Sequence, residues 1–205
     1  MTSVKYDYNF LAGIFTDDNL IFNSYNLSLH LYINTESIED QQIAFNRMDF
    51  IIYNIITNSV FVIDDDIKTI KKYKKAEIPI LTVSEPGPID QIILITIVNK
   101  LNMVTENVLK IFESEISSSV GGYVKYMYYS NDEIDDDEAL VSTDISKWWN
   151  DSNPRFIDIN ENSTICKFNQ LSNWQEHGLN WNTDSEILDT KNSNIININF
   201  SDNEN

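Results

Sequence analysis

The side chain with the clearest chemical potential is Glu113, a carboxylate in the middle of the otherwise apolar stretch Val108–Ser117. Both oxygens of a carboxylate accept hydrogen bonds, so such a group can hold two parallel N–H donors on the edge of a planar molecule. The alternatives are a strand glutamate that faces solvent, or one that pairs with Lys110 or Lys125. Asp90 is a second candidate for ligand binding, and it is equally suited to be a helix-start acid.

The other reactive residue types do not assemble into a set. His30 alternates with apolar neighbours, which is typical of a partly buried strand histidine, and His177 lies in a predicted turn. Cys166 is the one cysteine, which excludes an internal disulfide and a thiolate cluster. A single histidine near it does not make a metal site. No phosphate-binding loop, nucleophile elbow or Ser-His-Asp set is present. The sequence therefore predicts no metal and no cofactor.

The charge of the chain excludes one class of partner. Its 205 residues carry a net charge of −18, divided into −6 over residues 1–128 and −12 over residues 129–205. Because no extended basic surface can be built, binding of nucleic acid through phosphate contacts is not expected. The four lysines within residues 71–75 are interpreted as a solvated face in preference to a binding patch. No apolar stretch reaches the ~18 residues of a membrane span and no signal-like start is present, so we expect a cytoplasmic protein without a membrane partner.

The elements that must position these groups follow the order strand, strand, helix, helix, strand, strand. The strands are indicated by alternation of apolar and polar residues, and the helices by apolar stripes at helical spacing. Ser37 is a suitable N-cap for the first helix. The predicted elements are strands Val4–Phe15 and Leu20–Ile33, a helix from Ser37 to about Thr57, a helix Ile89–Asn102, and strands Val104–Ile116 and Val120–Tyr129.

Smaller elements are predicted between the two helices. Val60–Ile63 is a short strand or a buried extended link, Asp64–Lys75 is a charged segment that could form a short helix, and Pro79–Pro88 is a loop. The sheet and each long helix have one apolar face. We therefore predict an α+β fold in which a four-stranded antiparallel sheet is covered on one face by two helices, in the order ββααββ.

The chain is predicted to divide into a domain over residues 1–130, an acidic linker over residues 131–139, and an extension over residues 140–205. The extension holds all four tryptophans, which is unusual for a disordered tail. Most of it is therefore expected to pack on the domain or on a neighbouring subunit, with irregular or β-rich structure. Short strands are predicted over Arg155–Ile159 and Ile165–Asn169, and the last ~15 residues are expected to fray.

Four short segments within residues 8–129 resemble the 6-pyruvoyltetrahydropterin synthase and 6-carboxytetrahydropterin synthase family, whose members have the tunnelling fold, or T-fold. Each match is short, and the order and spacing of the four segments carry the resemblance. Phe10-Leu-Ala-Gly-Ile14 is similar to the family's Phe-Ser-Ala-Ala-His, Asn23-Ser-Tyr-Asn-Leu-Ser-Leu29 to His-Asn-Tyr-Arg-Val-Glu-Val, Gly87-Pro-Ile-Asp-Gln-Ile92 to Pro-Thr-Ala-Glu-Asn-Leu, and Lys110-Ile-Phe-Glu113-Ser to Arg-Val-Tyr-Glu-Thr.

The residues that depart from the family pattern are those of its chemistry. The family binds zinc through three histidines, and the positions similar to them hold Ile14, Ile21 and Asn23. The proton-shuttling cysteine has no counterpart, since the nearest position is around Asp17. The Asp-His pair after the first helix falls near residues 58–60, where there is no histidine. Without metal and acid–base groups the resemblance implies a catalytically inactive member.

Glu113 is the family feature that remains. In the family this glutamate anchors the ligand by two hydrogen bonds to an amino-pyrimidine edge. The resemblance therefore implies a pterin- or purine-like ligand at Glu113, with Asp90 as a further ligand-binding candidate. It also implies a closed homo-oligomer built on a trimer, because such folds hide their edge strands against copies of themselves.

A rival hypothesis is a non-enzymatic phage structural or interaction protein, such as an acidic scaffold or a nucleic-acid mimic. The net charge of −18 and the acidic run over residues 132–138 favour it. The bias towards Ile, Asn, Asp and Lys is typical of AT-rich genomes, and the composition is similar to that of small proteins of marine tailed phages. For a phage protein the expected locations are the host cytoplasm or the virion.

Overall fold

A curled, six-stranded mixed sheet with three helices forms the body of the protein. The structure is a computed structural model. In its described part no helix is long and apolar enough to cross a membrane. The described residues are 2–16, 19–76, 78–130, 141–154 and 173–181.

The first two strands form a long antiparallel hairpin, as the alternation predicts. Strand β1 (Thr2–Thr16) pairs with β2 (Asn19–Ile33) without a break from Thr2 opposite Ile33 to Thr16 opposite Asn19. Because side chains alternate along a strand, one set faces the helices and is buried. We call this face of the sheet the inner face. Its side chains include Tyr8, Phe10, Ala12 and Ile14 of β1 and Tyr25, Leu27, Leu29 and Leu31 of β2.

Two long helices cover the inner face. Helix α1 (Ile38–Phe50) begins after Ser37, whose hydroxyl accepts a hydrogen bond from the backbone N–H of Asp40 at 3.2 Å. The chain continues as a π-helical segment, Ile51–Ile56, in which four isoleucines are buried. Helix α3 (Asp90–Thr105) is buried on nearly all sides, because the sheet lies under it and later parts of the chain lie over it.

The prediction of a four-stranded antiparallel sheet is wrong in strand number and in direction. Strand β3 (Val60–Ile63) is parallel to β1, and β4 (Ile80–Val83) is parallel to β3, so the spatial order is β4-β3-β1-β2-β5-β6. Apart from Thr82 these two segments are apolar, which is typical of parallel strands that are buried on both faces. Helix α2 (Ile67–Lys75) covers the face of these strands that α1 and α3 do not cover. Its Ile70 and Tyr73 pack with residues of β1, β3 and β4. The predicted loop over residues 79–88 therefore contains a strand.

The last two strands are shorter than predicted. Glu106 and Asn107 have left-handed backbone angles, which end α3 and delay β5 (Leu109–Ser118). A turn then occupies residues 119–125, so β6 is limited to Tyr126–Tyr129. Both strands pair antiparallel with their neighbours. The turn lies at the same end of the sheet as the loop between β1 and β2.

Two buried cations hold later segments against the helices. Lys100 of α3 is fully buried, and its Nζ donates hydrogen bonds to the carbonyls of Trp148, Asp151 and Asn153 at 2.9, 2.7 and 2.6 Å. Arg47 of α1 donates from Nε to the carbonyl of Leu179 at 2.8 Å. Residues 141–154 and 173–181 thus pack on the domain.

Several sequence predictions lie outside the described residues. They concern the acidic linker over residues 131–139, the strands Arg155–Ile159 and Ile165–Asn169, and the last residues of the chain. Cys166 and Asp17 also lie outside them. The division into a domain, a linker and an extension stays a prediction.

Candidate functional site

Glu113 lies on the face of the sheet that points away from α1 and α3, which we call the outer face. Simple alternation from the buried Ile111 would have turned Glu113 towards the helices. A β-bulge intervenes, because His30 pairs with Glu113 while the next residue, Leu31, pairs with Ile111. Phe112 is the extra residue, and a bulge of this kind redirects the side chains that follow it. Ser114 is buried on the inner face, and the Glu113 carboxylate is turned outward.

The ion-pair partner of Glu113 is His30, directly opposite on β2. Nδ1 of His30 lies 3.3 Å from Oε2 of Glu113, and the two side chains are 38% and 26% exposed. Lys125, one of the predicted partners, instead pairs with Glu115 at 2.9 Å. Both carboxylates therefore have a basic partner on the outer face, the imidazole of His30 for Glu113 and the ammonium group of Lys125 for Glu115.

Aromatic rings lie beside the Glu113–His30 pair. The rings of Tyr32 and Phe112 stack with centroids 4.1 Å apart and an interplanar angle of 19°. The His30 ring meets Phe112 edge-on at 6.1 Å, and Tyr129 lies opposite Glu113 on the other side. A carboxylate among aromatic rings can accept N–H donors from a planar ring while neighbouring side chains contact its faces.

Asp90, the second predicted site residue, lies on the other side of the sheet. It is buried at the first residue of α3, and its Oδ2 accepts a hydrogen bond from the hydroxyl of Ser118 at 2.8 Å. Burial raises the pKa of Asp90 above its usual value, and the Ser118 hydrogen bond opposes that shift. Ser118 is five residues from Glu113 along β5, about 16 Å at the usual rise of a strand. Within one chain the two carboxylates therefore do not share a site.

The turn between β5 and β6 closes over Asp90. The Ser118 hydroxyl accepts a hydrogen bond from the backbone N–H of Gly121 at 3.0 Å. A Cβ atom at Gly121 would lie 2.5 Å from Oδ2 of Asp90, so any larger residue there would displace the Asp90 carboxylate. These contacts support the structural alternative for Asp90, a helix-start acid that also holds the turn.

Two buried polar groups near Asp90 were not expected from the sequence. Asn23 and Tyr25 are each 1% exposed on the inner face of β2. Oδ1 of Asn23 accepts from the Ser119 hydroxyl at 2.8 Å and the Val120 N–H at 3.0 Å, which fixes the orientation of the amide. Among the described residues, its Nδ2 and the Tyr25 hydroxyl have no hydrogen bond of good geometry, although the two side chains lie close enough to interact with each other. Burial is the main cause that raises the pKa of Tyr25, the Asn23 side chain opposes the shift, and the charge of Asp90 adds a smaller increase.

The three positions that resemble the family's zinc ligands do come together. Ile14 pairs directly with Ile21, and Asn23 follows two residues later with its side chain on the same face. Isoleucine has no atom that can bind a metal. Among the described residues, no group of three or more histidine, cysteine, aspartate or glutamate side chains could hold a metal ion.

The described contacts of His177 include neither Glu113 nor Asp90. It belongs to the short 3₁₀ helix Trp174–His177, and its ring lies 4.3 Å from that of Phe50 on α1. Its neighbour Trp174 takes part in the buried contact with Arg47, whose guanidinium carbon is 4.8 Å from that ring. The contacts of His177 are those of a packing residue.

Comparisons with known proteins give a fold likeness only. A scan against protein-family models matches none, and a search of curated proteins finds no match. Among solved structures the chain is similar to a catalytic-residue mutant of Plasmodium vivax 6-pyruvoyltetrahydropterin synthase (PTPS), with 12% identity and a TM-score of 0.40. The match covers 63% of this chain and 98% of that chain. It concerns the course of the backbone and says nothing of substrate or chemistry.

Proposed function

We propose that this chain is a T-fold-like protein of the 6-pyruvoyltetrahydropterin synthase type that lacks the zinc and proton-shuttle residues. It binds a pterin- or purine-like heterocycle through Glu113 and does not catalyse the family's reaction. The observation that carries this proposal is the Glu113–His30 pair among aromatic rings on the outer face. The isoleucines at positions 14 and 21 support the loss of metal chemistry.

The His30 contact suits Glu113 to bind a flat ligand. The contact of His30 Nδ1 with Oε2 at 3.3 Å limits rotation of the carboxylate, so less side-chain entropy is lost when a ligand binds. Each carboxylate oxygen has more than one lone pair, and the oxygens can still accept two parallel N–H donors. An amino-pyrimidine edge, as in pterins and guanine, presents such a pair of donors.

Calorimetric titration of guanine, neopterin and biopterin tests this proposal on native protein and on the Glu113→Gln variant. Glutamine replaces one acceptor oxygen with a donor, so the paired contact is lost while the shape is kept. We expect a loss of roughly 2–3 kcal/mol, or about 30- to 150-fold in affinity. Glu115→Gln is the matched control, because Glu115 lies on the same strand and face but pairs with Lys125.

Two results would contradict the binding proposal. If native protein binds none of the three compounds at millimolar concentration, it does not bind a ligand of this class. Equal affinities of the native protein and Glu113→Gln mean that Glu113 is a surface charge, held by His30 for structural reasons.

The second candidate function is that of a non-enzymatic phage structural or interaction protein. One specific observation favours an interaction role, namely the exposure of large apolar side chains at one end of the outer face, including Phe22 at 74%. Location in host cytoplasm or virion belongs to this proposal, as does a trimer-based homo-oligomer that covers the outer edges of β4 and β6. Of these surfaces, the apolar end of the outer face is the one that most specifically suits contact with a partner.

A further inference from the structure

A carboxylate of helix α1 lies among aromatic side chains where the helix packs on β1. Oδ1 of Asp49 accepts hydrogen bonds from the hydroxyls of Tyr8 at 2.9 Å and Tyr6 at 3.3 Å. Phe45 and Tyr53 lie four residues before and after Asp49, so the three side chains share one stripe of the helix. We call this group the tyrosine–aspartate cluster, which comprises Tyr6, Tyr8, Phe45, Asp49 and Tyr53.

The rings of the cluster meet at an angle and are not stacked. Ring centroids are 5.0 Å apart for Tyr6 and Tyr8, 5.4 Å for Tyr6 and Phe45, and 5.8 Å for Tyr8 and Tyr53. Rings in tilted arrangements keep part of their electron-rich faces free of one another. Tyr53 is 52% exposed, and β3 pairs with β1 only at residues 13–14, so the cluster lies at an open side of the sheet.

The negative charge of Asp49 has no cation beside it in the described part of the chain. Its contacts there are the two tyrosine hydroxyls, which are neutral donors. Burial, and next the charge of Asp49, raise the pKa of Tyr6 and of Tyr8, so both tyrosines remain protonated. Asp7, between them in the sequence but on the outer face, pairs with Lys5 at 3.3 Å. A partly buried carboxylate without such a partner favours a cationic ligand.

The hydrogen bonds of Asp49 indicate which kind of cation fits. Oδ1 accepts from both tyrosines, whereas Oδ2 has only the longer contact with Tyr6 at 3.5 Å. Oδ2 therefore has room for one further N–H donor. Aromatic faces attract cations, and groups of aromatic rings are the usual sites for alkylated ammonium groups. An ammonium group with one N–H and several alkyl substituents satisfies both features.

We propose that the tyrosine–aspartate cluster binds an alkylated ammonium group. Its N–H donates to Oδ2 of Asp49, and its alkyl groups contact the rings of Tyr53 and Tyr6. The group belongs either to a free amine or to a methylated lysine of a partner protein, since both present the same chemistry. The cluster lies on the inner side of β1 and Glu113 on the outer face, so the two sites are separate.

NMR titration of native protein with trimethylammonium chloride tests this proposal through the methyl resonance of the ligand. Faces of aromatic rings move the resonance of a bound methyl group upfield, which binding by charge alone does not do. We expect a saturable upfield shift with native protein. Affinity should fall roughly tenfold in Asp49→Asn, and about two- to fivefold in Tyr53→Leu, whose side chain is half exposed, so the fold is kept.

Asp7→Asn is the matched control, because it removes the same charge from the opposite face of β1 and should leave the affinity unchanged. Tetramethylammonium has no N–H and ammonium has no methyl group, so both should bind more weakly than trimethylammonium. A blocked Nε,Nε-dimethyllysine that binds more tightly than trimethylammonium would indicate a partner's side chain, and one that binds more weakly would indicate a free amine.

Three results would overturn the proposal. They are the absence of a saturable upfield shift with native protein, affinities of Asp49→Asn and Tyr53→Leu equal to that of native protein, and binding of ammonium as tight as that of trimethylammonium. None of them depends on Glu113, so they are separate from the titration of Glu113→Gln.

Discussion

At the residue scale, the environment of each acidic side chain decides its use. Glu113 and Glu115 occupy one strand and one face, but a bulge places Glu113 opposite an imidazole while Glu115 pairs with Lys125. Asp90 has no cationic partner in its described contacts and is held by the Ser118 hydroxyl. The arrangement at Glu113 leaves a carboxylate available to a ligand. The arrangement at Asp90 makes the free energy of unfolding depend on pH.

Asp90 should stabilise the fold less at neutral pH than in mild acid. Its pKa is raised in the folded state, so the folded state binds a proton more readily than the unfolded one. The free energy of unfolding therefore gains a contribution as the pH falls through the folded-state pKa towards the unfolded value. In urea unfolding from about pH 7 to about pH 4, the stability of native protein relative to Asp90→Asn should rise.

Asp66 provides a control of opposite sign. The side chain of Thr69, together with the Thr69 N–H at 3.0 Å, lowers the pKa of Asp66, which lies at the start of α2. The advantage of native protein over Asp66→Asn should therefore be constant above the ordinary pKa of aspartate, about 4, and fall as the pH is lowered further through the folded-state pKa. If the Asp90 and Asp66 variants follow the same trend, the burial of Asp90 does not control its titration.

The metal content of the native protein should be below one zinc per chain. The residues that the resemblance aligns with the ligands are Ile14, Ile21 and Asn23, of which two have no donor atom and the third directs its oxygen at Ser119 and Val120. Elemental analysis of purified protein measures this directly. About one zinc per chain would contradict the account and restore an enzymatic function as the leading hypothesis.

At the element scale, two buried cations connect the helices to later parts of the chain. The three carbonyls around Nζ of Lys100 all belong to residues 148–153, so one ammonium group organises that turn. Arg47 lies between two tryptophan rings, with its guanidinium carbon 3.9 Å from the ring centre of Trp181 and 4.8 Å from that of Trp174. Burial lowers the pKa of Arg47, while its bond to Glu106 favours the charged form.

Replacement of Lys100 by methionine should release the segment that contains Trp148. The side-chain volume is kept, but three buried carbonyls lose a charged donor, so we expect a loss of about 2–4 kcal/mol in the free energy of unfolding. Urea unfolding measures the loss, and a red shift of tryptophan emission under native conditions reports exposure of Trp148 and Trp149. Lys71→Met, on the exposed side of α2, should change stability by less than about 0.5 kcal/mol. An unchanged stability of Lys100→Met would mean that the contacts with residues 148–153 contribute little.

The elements that alternation or helical spacing marks clearly were predicted with their type, whereas β3 and α2 were predicted only as alternatives and β4 was missed. Strands β1 and β2 and helices α1 and α3 follow such patterns over more than ten residues. Strands β3 and β4 are largely apolar runs of four residues, which alternation cannot distinguish from buried links or loops. The bulge at Phe112 has no local sequence signal, so the face of Glu113 could not be predicted. Lys100 reads as a solvent-facing residue in the sequence, because its partners lie about fifty residues further along the chain.

At the scale of the whole molecule, the outer face of the sheet divides into two regions. One holds Glu113, His30 and the aromatic rings near them, and the other holds the exposed apolar side chains of Leu11 and Phe22 near the β1–β2 loop. Helix α2 covers the outer side of β3 and β4 and so separates neither region from solvent. The proposed ligand contact at Glu113 therefore uses none of these exposed apolar side chains.

The measurement that tests the central claim most directly is a crystal structure of native protein grown with whichever of guanine, neopterin and biopterin binds most tightly. We expect a planar ligand whose two N–H groups lie about 2.7–2.9 Å from the oxygens of Glu113, with His30 still in contact with Oε2. A ligand bound elsewhere, with the Glu113 carboxylate in contact with solvent and His30 alone, would contradict it.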